Sequence, residues 1–170
     1  MKRTKTRRLR VLLALLILSS CIGCDQVTKD IATRALRDVP TRSFLADTIR
    51  LDYALNPGGF LSIGSSLPAN IQMWVFIAFN SCMMLGLFIF LCLKQNIPLT
   101  LFVPLVFILA GGIGNLIDRV WNNGLVTDFI NIGIGSVRTG VFNVADMAIM
   151  FGAITVGCLS FHHDAGEQRL

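Results

Sequence analysis

The chain has 170 residues, 54% of them hydrophobic and 15% charged, with a formal net charge of +5. Soluble domains average about 25% charged residues, so the composition excludes a water-soluble globule and indicates one membrane domain covering 1–170. Lys2, Arg3, Lys5, Arg7, Arg8 and Arg10 supply six of the 15 basic residues, and the remaining nine face ten acidic ones. That distribution lacks the basic face of a nucleic-acid-binding domain.

The first apolar segment starts at Val11. Fourteen uncharged residues separate Arg10 from Asp25, about 21 Å of helix, and Gln26 to Lys29 can extend it into the far interface, giving a span of about 11–28. Residues 30–68 form a loop in which Ile31, Ala35 and Leu36 suit a short membrane-facing helix. Ile49, Leu51, Tyr53 and Leu55 alternate with smaller or polar residues, a strand pattern that Asn56-Pro57-Gly58-Gly59 breaks. Spans of about 69–93 and 98–118 follow, joined by Lys94-Gln95-Asn96-Ile97 into a tight hairpin, with Pro98 suited to a first helical turn. The Phe-rich stretch from Phe76 to Phe107 reads as lipid-facing or interhelical packing. In the loop 119–140, Asn122-Asn123-Gly124 signals a turn and Val126 to Ile132 a strand. The last span covers about 141–161. The expected fold class is therefore an α-helical integral membrane protein of four transmembrane helices, with small β-rich or irregular elements between spans one and two and between three and four. Cys21, Cys24, Cys82, Cys92 and Cys158 all lie in apolar segments without a disulfide or zinc spacing.

Four spans place both termini on one side, and the basic N-terminal cluster assigns that side to the cytoplasm. The loops 30–68 and 119–140 are then extracytoplasmic. Asp25, Asn56, Asn115, Asp118, Arg119, Asp128, Asn143 and Asp146 all fall at the outer ends of spans or in the outer loops. A carboxylate such as Asp146 at the head of an apolar run is costly, about 2.5–3.5 kcal/mol at a helix centre, and marks a functional site by default.

Two neighbouring carboxylates cannot both ionise cheaply; they share a proton, so one can activate water while the other donates. The only histidines, His162 and His163, are in the cytoplasmic tail, which leaves serine or cysteine nucleophiles without a base. Acids alone would be an unusual zinc set, and no metal or cofactor is expected. Asp118-Arg119 reads as a structural ion pair, and Asp25 and Lys29 have the i,i+4 spacing of a helical pair.

Asp25-Gln26-Val27-Thr28-Lys29, Gly111 to Arg119, Val126-Thr127-Asp128-Phe129-Ile130 and Phe142-Asn143-Val144-Ala145-Asp146, in this order, resemble lipoprotein signal peptidase (signal peptidase II). The resemblance covers nearly the whole chain. It implies a bacterial inner-membrane aspartic endopeptidase that cleaves diacylglyceryl-modified prolipoproteins before the lipidated cysteine. The protein is expected to be a monomer in the lipid bilayer. The resemblance implies Asp128 and Asp146 as the catalytic pair, with Asp25, Lys29, Asn56, Gly58, Asn115, Asp118, Arg119, Asn143 and Ala145 as substrate-binding or supporting residues. The chain departs from the family at Gly59-Phe60-Leu61, where two small residues and then Phe are usual.

Two other readings compete. The acids of a small four-helix transporter or assembly subunit would form a proton relay, but spans two and three carry almost no polar residues through the bilayer. Leu18-Ser19-Ser20-Cys21 reads as a lipobox, which would make the chain a lipoprotein precursor. The family resemblance favours a retained first helix.

Overall fold

Residues 2–58, 68–94 and 96–167 are described by a computed structural model. The order is α1 (Lys2–Leu36), β1 (Arg42–Phe44), β2 (Ile49–Asn56), α2 (Ala69–Leu93), α3 (Leu99–Trp121), β3 (Val126–Ile134), β4 (Val137–Arg138) and α4 (Val144–Glu167). All four helices are long and apolar enough to cross a membrane, so the expected fold class stands. The atypical Gly59-Phe60-Leu61 lies outside the described residues.

The helix α3 is the centre of the bundle, and α1, α2 and α4 each pack against it. Half of its apolar window is buried, against none of that of α2. Its sequence explains the difference, because small residues let neighbouring backbones approach. A Cβ at Gly111 would collide with the Ala145 carbonyl of α4, and one at Gly114 would sit 2.8 Å from Asp25 Oδ2 of α1. The phenylalanines divide between the two expected kinds of packing. Phe102 is buried and Phe107 meets Phe151 edge-on at 4.9 Å, whereas Phe79 and Phe88 are exposed on the apolar outer surface.

The two loops contribute to one sheet. Its order is β1-β2-β3-β4 and every pairing is antiparallel. The long-range pair is β2 with β3, where Ala54 faces Asp128 and Asn56 faces Val126, with a register irregularity between Leu51 and Ala54. The chain reaches β3 through a helix end built for it. Asn123 has φ +52°, and Gly124 N–H donates to the Arg119 carbonyl at 2.7 Å, the left-handed closure that Asn and Gly favour after a helix.

Three readings of the sequence need correction. Residues 30–36 continue α1 without a break, and they do not form a separate helix. Leu36, with Ala32, is buried against Phe129 beneath the sheet, while Ile31 and Ala35 are exposed; the 3.6-residue period turns one face of the extended helix toward the strands. Pro98 stands at the N-cap of α3, one residue before the first turn, with φ −61°.

Candidate active site

The start of α4 is fixed by a reciprocal cap. Asn143 Oδ1 accepts from Asp146 N–H at 2.9 Å, and Asp146 Oδ2 accepts from Asn143 N–H at 3.2 Å. This is the geometry of a capping box, with a carboxylate where the helix dipole favours negative charge. The same Asn143 donates its Nδ2 to Asp128 Oδ1 at 2.7 Å. Phe142 explains how β3 comes to lie there: its carbonyl accepts from Phe129 and Ile130 N–H, and its own N–H donates to the Ile130 carbonyl. One residue of β-pairing thus sets Asn143, and through it Asp146, beside Asp128.

Both carboxylates are buried, Asp128 at 1% exposure and Asp146 at 8%. Asp128 Oδ2 accepts from Asn56 Nδ2 at 2.9 Å, and Asp146 Oδ1 from Asn115 Nδ2 at 2.8 Å. Each therefore meets a neutral amide from another element. Desolvation, the largest influence, pushes Asp128 up to about 6; the nearby Asp146 charge adds to it, and the Asn56 and Asn143 hydrogen bonds and the Lys29 charge oppose it.

Behind the carboxylates lies a buried ionic layer. Lys29 Nζ is 2.8 Å from Asp25 Oδ2 and 3.3 Å from Asp118 Oδ2, and it donates to Asn115 Oδ1 at 3.0 Å. Asp25 Oδ1 accepts from Ala145 N–H, and Asp118 Oδ2 from Thr127 N–H, both at 2.9 Å. The expected pairing of Asp118 with Arg119 is not what forms. Successive helix positions point about 100° apart, so Asp118 turns to Lys29 and Arg119 turns away. Arg119 NH2 instead donates to the Gly58 carbonyl at 2.7 Å, and its guanidinium lies 5.7 Å from the Phe76 ring. Gly58 N–H donates in turn to Asn56 Oδ1, which tethers the end of β2.

All eleven residues singled out from the sequence are in this assembly. Gln26 and Thr127 were not singled out. Gln26 Nε2 donates to Asp118 Oδ1 at 3.0 Å and to Asp25 Oδ2 and the Gly114 carbonyl at 3.2 Å. The signal for Gln26 is its place beside Asp25, where an uncharged amide can link two acids without competing for Lys29. Thr127 acts through its backbone, which sequence does not mark. Among the described residues, no group of three or more His, Cys, Asp or Glu is set to hold a metal ion.

Asp128 and Asp146 are thus buried carboxylates held by neutral amides at one end of a bundle whose four helices are long and apolar enough to cross a membrane. Residues 17–162 match the profile of the signal peptidase (SPase) II family, and the chain belongs to that family, which makes it a peptidase. It is 33% identical over 170 residues to the "Lipoprotein signal peptidase" of Bifidobacterium adolescentis, covering 96% of this chain and 84% of that one. It is 31% identical over 152 residues to the protein of that name from Borrelia duttonii, covering 86% and 88%. A solved structure described as a bacterial membrane enzyme superposes with a TM-score of 0.76 at 26% identity, covering 91% of this chain and 90% of that one.

Two predictions follow from the buried charges. Lys29→Met leaves Asp25 and Asp118 buried without their cation, which costs about 3–5 kcal/mol. The thermal unfolding midpoint in detergent is expected to fall well below that of the wild type, and an unchanged midpoint would show that the cation is dispensable. Asp128 keeps its proton to about pH 6 when folded, against 3.8 for an unperturbed aspartate. Between these values the unfolded chain releases a proton that the folded one retains, so wild-type stability falls as pH rises from about 4 to about 6, by about 3 kcal/mol in all, and levels off above. Asp128→Asn lacks this loss, so between about pH 4 and 6 the wild-type midpoint should fall relative to that of the variant, and a constant difference across the window would show that Asp128 does not titrate there.

Proposed function

We propose that the protein removes signal peptides from diacylglyceryl-modified bacterial prolipoproteins, cleaving before the lipidated cysteine with Asp128 and Asp146 as the catalytic pair. The observation that supports this most is Asn143. It hydrogen-bonds both carboxylates, through its side chain to Asp128 and its backbone to Asp146, so the two acids are positioned by one residue. Two acids this closely linked hold one proton between them. The ionised member takes a proton from water, and the resulting nucleophile attacks the scissile carbonyl. The protonated member donates a hydrogen bond to the carbonyl oxygen, which stabilises the tetrahedral intermediate, and the amine leaves protonated.

The supporting residues follow from the same reading. Asn56, Asn115 and Asn143 orient the acids without adding charge. Asp25, Lys29 and Asp118 hold α1, α3 and the start of α4 in register behind them. Arg119 and Gly58 tether the end of β2, and Ala145 keeps α4 close to α3. The diacylglyceryl chains lie in the bilayer, so the substrate enters laterally. The protein works as a monomer, with both termini cytoplasmic and the acids at the extracytoplasmic face, which follows from the basic residues before Val11. Its own Leu18-Ser19-Ser20-Cys21 is retained as part of the membrane-spanning helix α1, which runs unbroken from Lys2 to Leu36.

The test is incubation of the purified protein with a diacylglyceryl-modified prolipoprotein. Asp128→Asn and Asp146→Asn are each expected to lower turnover by at least about 10³-fold, of the order seen for loss of an essential acid or base, while both proteins still insert and purify. Substantial turnover by either variant removes that residue from the mechanism. Intact-mass measurement of the same protein should find the sequence before Cys21 still attached, and a species beginning at a lipidated Cys21 would refute the retained anchor.

A further inference from the structure

At the opposite end of α1 from the acids lies a cavity of about 590 Å³. Its cause is the packing order. The helices α1 and α2 both lie against α3, and a cleft remains between them, floored by the buried Phe102, Val106 and Leu109. Its sides include Leu15 and Phe88, which are exposed, so the cleft opens sideways onto the surface that faces lipid. Its mouth carries Arg7 and Arg10. Arg10 NH2 donates to the Ile97 carbonyl at 2.5 Å, and its guanidinium lies 5.8 Å from the Phe102 ring, which holds its charge at the rim.

We infer that this cleft binds one anionic glycerophospholipid, with an acyl chain between α1 and α2 and the phosphate at Arg7 and Arg10. Two arguments select this occupant. The first is depth. The lining on α1 runs from Arg7 to Leu18, about 16 Å of helix, which is close to half of the roughly 30 Å hydrocarbon core. The cleft therefore accommodates the lipid of one leaflet and stops short of Asp25. The second is charge. A signal peptide has a positively charged leading segment, which Arg7 and Arg10 repel, whereas a phosphate meets both. Basic residues just outside a membrane helix attract anionic lipid in this way. The inference does not depend on the peptidase reading.

The experiment is native mass spectrometry of the full-length protein, released from bilayers containing equal amounts of phosphatidylglycerol and phosphatidylcholine with identical chains. The wild type is expected to retain phosphatidylglycerol in preference, by about fivefold per arginine at the phosphate. Arg7→Gln, a change at an exposed helix position, should reduce the preference about fivefold, and Leu15→Trp, which fills the cleft from its rim, should reduce retention of both lipids. Equal retention of the two lipids by the wild type would overturn the proposal. So would a preference that Arg7→Gln leaves undiminished, which would assign it to the other N-terminal basic residues. Displacement of the bound lipid by a synthetic signal-peptide helix would reassign the cleft to peptide.

Discussion

An ammonium group removed from water inside a bilayer-spanning helix is destabilising by several kcal/mol unless anions surround it, and this constraint organises the polar end of the bundle. Lys29 meets it with Asp25, one helical turn away, and with Asp118 of α3. Each of those acids has a second oxygen or a spare lone pair, and each uses it on a backbone N–H at a place where the chain changes direction. Asp25 takes Ala145 at the first turn of α4, and Asp118 takes Thr127 at the start of β3. The ionic layer thereby fixes the two backbone segments that carry Asp146 and Asp128. Close packing makes the layer possible, since a side chain at Gly114 would occupy the space of Asp25 Oδ2.

The sequence made the components of this arrangement readable and left their connections hidden. The four apolar runs are visible because a bilayer demands about 20 apolar residues per span. The acids are visible because carboxylates are rare there. The strands β2 and β3 are visible from alternation and flanking turns, but their pairing with one another is not. It joins residues some 72 positions apart, and only Asn56 meeting Asp128 reveals why both loops are needed. The strands β1 and β4, of three and two residues, are too short to carry a period. The continuation of α1 to Leu36 was hidden for a different reason. Charged residues from Asp30 to Arg37 resemble a loop at the membrane surface, yet every fourth position, Ala32 and Leu36, is apolar and reaches Phe129. Tertiary packing decided that segment. The Asp118-Arg119 pair was misread because adjacency in sequence is not adjacency on a helix.

The exposed surface of the sheet uses charge differently. Leu45, Ala46 and Asp47 all have positive φ, an uncommon run for residues with side chains. Asp47 anchors it, accepting from Ser43 Oγ at 2.6 Å and from Arg50 Nε at 2.7 Å, while Arg138 donates to its carbonyl at 2.7 Å. The Arg50 and Ser43 hydrogen bonds hold the Asp47 carboxyl well below the usual carboxylate range. Here water screens the charges and the ion pairs serve local geometry, in contrast to the buried layer, where each unpaired charge would be expensive.

Amides in place of cations beside the acid pair have a physical consequence. A lysine or arginine in direct contact would favour the ionised form of both carboxylates. Asn115 separates them from that outcome. Its Oδ1 accepts from Lys29 and its Nδ2 donates to Asp146, so the positive charge reaches Asp146 through a polarised amide. Chains of this kind strengthen each hydrogen bond in them, which orients Asp146 firmly, while the distance added by the amide weakens the Coulomb pull of Lys29. Asn143 does the same between the two acids, accepting at Oδ1 from the Asp146 backbone and donating at Nδ2 to Asp128. An amide between the acid and the cation thus gives rigid placement without direct contact between the opposite charges.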